Sequence, residues 1–527
     1  MSVVAGLHRQ PLPATGAKPT TSTTRLVASA GILTLCVAMA GLGALGVGRT
    51  SSPLSGAAVM TAGVVVLGAV LLRRWLPEVC TGLFVALLYT NALVIAHTYH
   101  GVPQSVVGLS YLLLAVPLVA FTLFRREPIV ITPALVLSLV YTAALFVSAA
   151  YAQNVHATLK PIANFASEGL VLFFLMSNAV RTPAAIRNMV WALIASAALL
   201  SVLSVGQEVT GSYDNDLAGF AQTNEAAVKV GEDSDGKILR DRLGGPLGSP
   251  NRYGQILAMV VPMALLQALH ARRRSSRALA AAAATLMLVA IALTFSRGTA
   301  VALGGVVVVM LLSRVIRVRH VAALVVACTL VAVAVPQYVA RLASLDSVEG
   351  LASEQVQPDG AVLGRATSNL ASLSVFLDHP VVGVGPLQYF QQYSRSYANQ
   401  LDLRFFEGRR RAHNLYFELA ADTGLLGLLT FLAVPLAVGF SLRRAARRLK
   451  DRRPDDAHLA YALLFGLVSY FASAVFLHLA YQRYLWLLLG LANAAAWVHR
   501  REAADATATG GPDVALPSGT HKEHEAR

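Results

Sequence analysis

The feature that most limits the possible folds of this chain is a series of long apolar runs. Of its 527 residues, 55% are hydrophobic and only 13% are charged, whereas soluble domains carry about 25% charged residues. A helix needs roughly 20 apolar residues to cross the hydrocarbon core, where every backbone polar group must be bonded within its own segment. The sequence therefore predicts a membrane protein with many helical spans.

The apolar runs predict an all-α, polytopic transmembrane helical bundle of about 12–14 spans. A long loop, 337–412, precedes a C-terminal helix group, and a second loop covers 208–250. The membrane domain is expected at 26–499, between polar segments 1–25 and 500–527 that predict disordered cytoplasmic tails. The predicted spans are 26–47, 54–72, 79–97, 102–124, 128–150, 163–180, 187–207, 251–270, 278–296, 299–313, 321–336, 414–441, 458–478 and 484–499.

Short arginine-rich loops predict the orientation of this bundle. They contain Arg73-Arg74, Arg125-Arg126, residues 272–274 and the basic run between Arg443 and Arg453. Short loops rich in Lys and Arg face the cytoplasm, so the N-terminus is expected inside and both long loops outside. Because much of the net charge of +15 is explained in this way, we expect no nucleic-acid partner.

A histidine stands where the loop 337–412 meets an apolar run. His413 begins the stretch His-Asn-Leu-Tyr-Phe-Glu-Leu-Ala-Ala-Asp-Thr-Gly-Leu-Leu-Gly, which predicts a helix with His413 and Gly424 on one face and Gly427 close to it. Small residues on that face would let another helix approach closely. A histidine at the outer mouth of such a helix suits a general base, although it could equally be an interfacial cap.

Arginines predominate among the ionisable groups predicted at the outer ends of the spans. A planar guanidinium fits phosphate oxygens, so an arginine cluster here would suit a lipid-linked phosphate or diphosphate. For any single arginine the alternative is anchoring among lipid headgroups. The group comprises Arg242, Arg252, Arg297, Arg365, Arg409-Arg410-Arg411, His413, Glu418 and Arg483.

Four further features bear on this predicted surface. Arg297 lies in a sharp turn between two apolar runs, which favours a function over anchoring, whereas Arg242 could bind a ligand or balance Asp241. Residues 362–378 predict an amphipathic helix followed by a glycine-shaped turn. Glu168, early in a span, is costly in a membrane, and we expect it to pair with an arginine that the sequence does not identify.

Four of these elements, in order along the chain, resemble the O-antigen ligase and O-antigen polymerase superfamily of bacterial envelope glycosyltransferases. The resemblance covers residues 242–427. It rests on His413-Asn414 with Gly424 and Gly427, on Ser296-Arg297-Gly298, on Arg242 with Gly244, Pro250 and Asn251, and on Arg365 with the turn 378–385.

The resemblance implies an all-helical core at about 163–499 that moves a glycan from an undecaprenyl-diphosphate carrier to an acceptor hydroxyl, with inversion. It implies no cofactor and no metal ion. His413 would activate the acceptor hydroxyl, and Arg242, Arg297 and Arg365 would hold the diphosphate, where fixed positive charge stabilises the leaving group. Supporting roles would fall to Asn414, Glu418, Gly424, Gly427 and Asn251.

The resemblance also implies a bacterial cytoplasmic (inner) membrane protein whose active site faces outward. Its partners would be the carrier-linked donor, membrane lipids and a lipid, glycan or protein acceptor. A polymerase that joins repeat units on the same carrier would need the same base and the same arginines. A lipid or polysaccharide transporter is the alternative from another class, but it would predict paired broken helices in two halves, and no such symmetry is visible.

Overall fold

The computed structural model describes residues 76–229, 237–322, 360–401, 408–478 and 482–508, with a few single positions between 325 and 329. The predicted tail 1–25 and the predicted spans 26–47 and 54–72 lie outside the described residues. The same holds for most of the predicted span 321–336 and for the tail beyond 508. From residue 77 onward the chain forms one compact unit.

Helices dominate the described residues, and one β-hairpin interrupts them. In chain order the elements are α1 (Leu76–Tyr89), α2 (Ala92–His100), α3 (Gln104–Phe124), α4 (Pro133–Ala150), α5 (Val155–Ala179), α6 (Pro183–Thr210), β1 (Gln222–Lys229), β2 (Lys237–Gly245), α7 (Pro250–His270), α8 (Arg274–Leu293), α9 (Arg297–Leu312), α10 (Gly360–Asp378), α11 (Ser394–Gln400), α12 (Leu415–Leu449), α13 (Pro454–Ser473) and α14 (Arg483–Ala508).

The prediction of an all-α, polytopic membrane protein is confirmed. Within the described residues, seven helices are long and apolar enough to cross a membrane, or eight if α1 and α2, which are bent by 54°, form one span. Each predicted span in the described ranges coincides with a helix, except that the span 79–97 is divided between α1 and α2. The helix α14 continues to Ala508, beyond the predicted end of its span at 499.

Local sequence signals explain where several of these helices begin. The side chains of Thr132 and Thr182 accept hydrogen bonds from backbone N–H groups in the first turns of α4 and α6. A proline occupies the first position of each helix, where its missing N–H is harmless and its fixed φ fits the helix. The same first-turn proline opens α7 at Pro250.

The buried core centres on α7 and α14. In α7, most side chains along the apolar stretch are buried, and in α14 Trp486 is fully buried. The Trp486 ring meets Phe165, Phe173 and Phe431 edge-on, with ring centroids 5.2, 5.9 and 6.4 Å apart. These contacts join α5, α12 and α14 into one packed unit.

The helices run between two ends of the bundle. One end, here called the His413 end, carries the β-hairpin, α10, α11 and His413. The opposite end carries the short arginine-rich loops, where Arg453 pairs with Glu502 at 2.7 Å and Arg501 with Glu127 at 3.1 Å. The sequence predicted the basic loops and the long loops on opposite sides of the membrane. In the structure they lie at opposite ends of the bundle.

Both long loops contain regular structure at the His413 end. The strands β1 and β2 pair antiparallel within the loop 208–250, which the sequence did not predict. The helix α10 covers the predicted amphipathic segment 362–378. It packs with α11 and the start of α12 around a small second core that contains Ala371, Val375, Val384, Tyr389, Ala398, Ala412 and Ala421.

Candidate functional site

His413 lies directly before the first turn of α12. The next residue, Asn414, caps that helix, because its Oδ1 accepts hydrogen bonds from the backbone N–H groups of Tyr416 at 2.9 Å and Phe417 at 3.1 Å. The backbone N–H of Leu415 donates to the carbonyl of Ala474 at 2.9 Å, just past the end of α13. Asn414, predicted as a supporting residue, therefore fixes where the helix begins and holds His413 at its mouth.

The His413 side chain is half-buried. Its backbone N–H donates to Asn369 Oδ1 at 3.0 Å, and Asn369 lies one turn after Arg365 on α10. Among the described residues, His413 Nδ1 is buried without a hydrogen-bond partner. Burial, together with the charges of Arg365, Arg252 and Arg410, lowers the pKa of His413 to about 4. The imidazole is therefore neutral at neutral pH and surrounded by positive charge.

A second histidine stands beside the first. The rings of His413 and His478 meet edge-on, with centroids 6.4 Å apart. The buried Arg252 donates from Nη1 to the carbonyl oxygen of His478 at 3.2 Å, and its Nη2 lies 2.8 Å from His478 Nε2. Because a guanidinium only donates, Nε2 must be the acceptor. Burial and Arg252 lower the pKa of His478, so both histidines are neutral.

Arg242 connects three elements around the turn that precedes α9. From β2, its Nε donates to the carbonyl oxygen of Thr294 at 2.9 Å, and its Nη2 donates to Asn251 Oδ1 at 3.2 Å and to the carbonyl oxygen of Phe295 at 3.4 Å. Arg297, the first residue of α9, is buried immediately after that turn. Arg242 and Asn251 therefore brace the turn that presents Arg297.

The first turn of α7 links these two groups of residues. Asn251 contacts Arg242, and the adjacent Arg252 contacts His478, which in turn lies against His413. The structure thus brings Arg365 and Asn369 to His413. In the second group, it brings Arg242 to the turn before Arg297. His478 had no predicted role, and Arg252 was only one of several predicted outer arginines. The position of Arg252 next to Asn251 was the one sequence feature that pointed to a role for this arginine.

The helix α12 is interrupted at Gly424, and a turn occupies the break. Gly424 has φ 63° and ψ −166°, which is not helical. The turn 380–385 bonds the backbone on both sides of the break: Leu425 N–H donates to the carbonyl of Pro380 at 2.8 Å, and Gly385 N–H donates to the carbonyl of Asp422 at 2.8 Å. The sequence predicted an uninterrupted helix with a neighbouring helix against this glycine. That prediction was wrong, because a turn makes the close approach.

The glycines of this contact leave no room for a side chain. A Cβ on Gly424 would lie 2.5 Å from the backbone nitrogen of Val382, and a Cβ on Gly383, where φ is 68°, would lie 2.5 Å from Thr423 N. A Cβ on Gly427 would collide with the side chain of Thr423, which bonds back to the carbonyl of Leu419. The predicted supporting glycines Gly424 and Gly427 are therefore required by backbone docking and by local packing.

Two carboxylates follow His413 along α12. Glu418 Oε1 pairs with Arg411 Nη1 at 2.7 Å, and the Arg411 guanidinium lies 5.2 Å from the centre of the Phe390 ring. Asp422 accepts backbone hydrogen bonds from Leu387 at 3.0 Å and Tyr389 at 2.9 Å. Glu418 was a predicted supporting residue. Asp422 was not, although a carboxylate within an apolar run is itself a functional signal.

The intramembrane carboxylate Glu168 has the arginine partner that the sequence could not identify. Arg483 Nη1 lies 3.2 Å from Glu168 Oε1, and Arg483 Nη2 donates to Asn91 Oδ1 at 2.7 Å. These contacts join α5, the break between α1 and α2, and the start of α14. The charge of Glu168, balanced by that of Arg483, therefore lies at the His413 end.

Residues 282–432 match the family model described as O-antigen ligase. The matched stretch contains Arg297, Arg365, His413, Gly424 and Gly427, whereas Arg242 and Asn251 precede it. No curated protein matches the chain. The predicted resemblance to this family is therefore confirmed over the part of the chain that holds the histidine, the break in α12 and two of the three predicted arginines.

Proposed function

We propose that the protein transfers a glycan from an undecaprenyl-diphosphate carrier to an acceptor hydroxyl, on the basis of the match of residues 282–432 to the O-antigen ligase family model. The family match supports ligase or polymerase chemistry in general, as in membrane glycosyltransferases. The lipid-linked donor, the side of the membrane that the site faces and the roles of the individual residues are our proposal.

The observation that carries the proposal is a neutral, half-buried histidine among arginines. Arg365, Arg252 and Arg410 all act on His413, yet none of them can take a proton from a substrate at neutral pH. A base with a nitrogen lone pair can take that proton. Fixed positive charges beside it suit a diphosphate, since guanidinium groups bind phosphate oxygens in pairs. The same place therefore offers a proton acceptor and an anion site.

The proposed reaction is a single displacement. The acceptor hydroxyl gives its proton to His413 while its oxygen forms a bond to the anomeric carbon of the donor glycan. The bond between that carbon and the diphosphate oxygen breaks, and the electron pair leaves with the diphosphate. The configuration at the anomeric carbon is inverted. The positive charges of Arg365, Arg297 and Arg242 stabilise the departing diphosphate, which is where such charge lowers the barrier most.

We also propose that the His413 end faces the outside of the cytoplasmic membrane. The opposite end carries short loops with Arg125, Arg126, residues 272–274 and the basic run 443–453, as expected of a cytoplasmic face. Outside the cell, activated sugars reach an enzyme on lipid carriers. An outward site next to the bilayer is therefore consistent with a carrier-linked donor.

The proposal is tested with purified protein in vesicles that contain carrier-linked glycan from the producing cells, with an extract of their envelope as acceptor. We expect release of undecaprenyl diphosphate together with transfer of whole chains. Elongation of the carrier-linked chains by single repeat units would identify the polymerase instead. Movement of the intact carrier-linked glycan across the vesicle membrane without bond cleavage would reject both and favour a transporter.

The pH dependence of this reaction should respond to Arg365. His413 acts as a base only when it is neutral, which holds above its pKa of about 4. Replacing Arg365 by glutamine removes a positive charge that disfavours the imidazolium, so the pKa of His413 rises toward its ordinary value. We expect the acid limb of the kcat/KM profile to move upward by about one pH unit.

Arg409→Gln serves as the matched control, because Arg409 is exposed and is not among the charges that act on His413. It should leave the acid limb in place. In the unaltered protein, a bound diphosphate offsets the arginine charges, so the acid limb of kcat should lie at higher pH than that of kcat/KM. An acid limb that does not move in Arg365→Gln would contradict the role of His413 as the titrating base.

A further inference from the structure

A cavity with three carboxylates in its wall lies beside the His413 segment. It has a volume of about 260 Å³ and is bounded by α4, α5, the turn after Gly385 and the first turns of α12. The residues Arg411 and Leu415, which flank His413 in sequence, belong to its wall. Its polar lining includes Asn164, Glu168, Arg411, Glu418, Asp422 and Gln482.

One carboxylate oxygen in this cavity lacks a hydrogen-bond donor. Glu418 is only 6% exposed; its Oε1 is paired with Arg411, whereas its Oε2 is buried and has no partner among the described residues. Leaving a buried acceptor without a donor costs free energy, so such an atom calls for a ligand or water that donates a hydrogen bond. Asp422 and Glu168 already have the partners described above.

The two places differ in their charged side chains. Three arginines act on His413, whereas three carboxylates and one arginine line the cavity, and Glu418 and Glu168 pair with Arg411 and Arg483. An anionic diphosphate is attracted to the arginines beside His413, and the cavity offers no comparable excess of positive charge. A neutral molecule that carries hydroxyl groups suits the cavity, because each O–H can donate to a carboxylate or amide oxygen. Within the described ranges, no group of three or more His, Cys, Asp or Glu side chains is arranged to hold a metal ion.

The volume and the wall residues of the cavity restrict the range of possible ligands further. Pockets for drug-sized molecules have volumes of roughly 300–1,000 Å³, so this cavity takes about one ring. Its apolar wall includes Tyr141, Leu145 and Phe165, which can cover the face of a sugar. Glu168 lies in a π-helical segment of α5, Ala166–Val171, and such segments occur frequently at functional sites.

We infer that this cavity, beside His413, binds the acceptor as a neutral sugar whose hydroxyl groups donate to Glu418 Oε2 and its neighbours. The inference rests on the proposed transfer reaction and adds the acceptor class and its place. The two substrates then approach His413 from different directions, with the diphosphate on the side of Arg365 and the acceptor sugar on the side of Glu418. A sugar hydroxyl is the nucleophile, rather than a serine or threonine of a protein.

The test uses the vesicle assay with two variants. Glu418→Gln removes the charge on the buried acceptor, and Leu419→Phe fills the cavity wall without changing any charge. We expect the acceptor concentration for half-maximal transfer to rise about tenfold in both, with little change in that for the donor. Leu429→Phe, an exposed position on the same helix, is the control and should behave as the unaltered protein.

Each outcome bears on the inference separately from the proposed function. If Glu418→Gln fails to fold because Arg411 loses its partner, Leu419→Phe decides. An unchanged acceptor dependence, or an equal rise for donor and acceptor, overturns the acceptor site while transfer itself stands. Transfer that survives replacement of His413 by alanine overturns the proposed function instead. Transfer to a serine-containing peptide, but not to sugars of the envelope extract, would also overturn the inference.

Discussion

Replacing His413 by alanine is expected to reduce transfer by about 10²–10⁴-fold, the usual contribution of a positioned general base. The arginines near His413 would remain, so the donor should still bind. What is lost is the proton acceptor, because His413 is neutral and lies among those arginines, whereas His478 Nε2 is already bonded to Arg252. In cells, mature glycan should disappear while carrier-linked glycan accumulates, and both can be measured on gels of extracted glycolipid.

The matched control for this variant is His156→Ala, because His156 is exposed in the first turn of α5. Both variants must be present in the membrane at the level of the unaltered protein. His156→Ala should make normal glycan. Normal glycan in His413→Ala would remove the proposed base. The length of what accumulates separates the two transferase reactions, since full chains indicate a ligase and single repeat units a polymerase.

The helical bundle could be predicted from sequence because each span is a local property. A run of apolar residues long enough to cross a bilayer must satisfy its backbone internally, whatever it packs against. The hairpin β1–β2 lies in a polar loop, where pairing depends on residues several positions apart. Its strands show no alternation of apolar and polar residues, so no comparable local signal predicts them.

The site was predictable only in part. His413 and Arg365 stand in recognisable motifs, and the structure brings their charges together. The contact of Arg252 with His478 joins residues more than two hundred positions apart, and no local sequence feature indicates it. The motif asparagine, Asn414, carries a local capping function that the residue type itself explains. The role of Asp422 depends on the backbone of residues 387–389, which lie in a different segment.

The spacing between His413 and Gly424 was interpreted as a helix face, which assumed that the helix continues. Local periodicity cannot detect a break whose cause lies elsewhere in the chain. Here the cause is the turn 380–385, whose backbone takes the place of helical hydrogen bonds on both sides of Gly424. The two glycine motifs of the sequence are therefore one structural unit, which fixes the loop carrying α10 to the helix that begins at His413.

Replacing Gly424 by alanine is accordingly expected to destabilise the protein strongly. Its φ of 63° and ψ of −166° lie in a region that is nearly exclusive to glycine, at a cost of order 1–3 kcal/mol for other residues. The added Cβ would also meet backbone of residues 381 and 382, which cannot move aside like a flexible side chain. We expect a loss of at least about 3 kcal/mol in the free energy of unfolding, visible as a lower Tm in detergent.

Gly439→Ala is the matched control, since Gly439 lies in the same helix and its added Cβ would make an ordinary contact of 3.6 Å with Leu464. Alanine within a helix is favoured over glycine by roughly 0.5–1 kcal/mol, so this variant should keep or slightly raise the Tm. Gly383→Ala, on the other side of the contact, should resemble Gly424→Ala in losing both stability and transfer. An unchanged Tm and full transfer in Gly424→Ala would show that Gly424 is not required for docking of the turn 380–385.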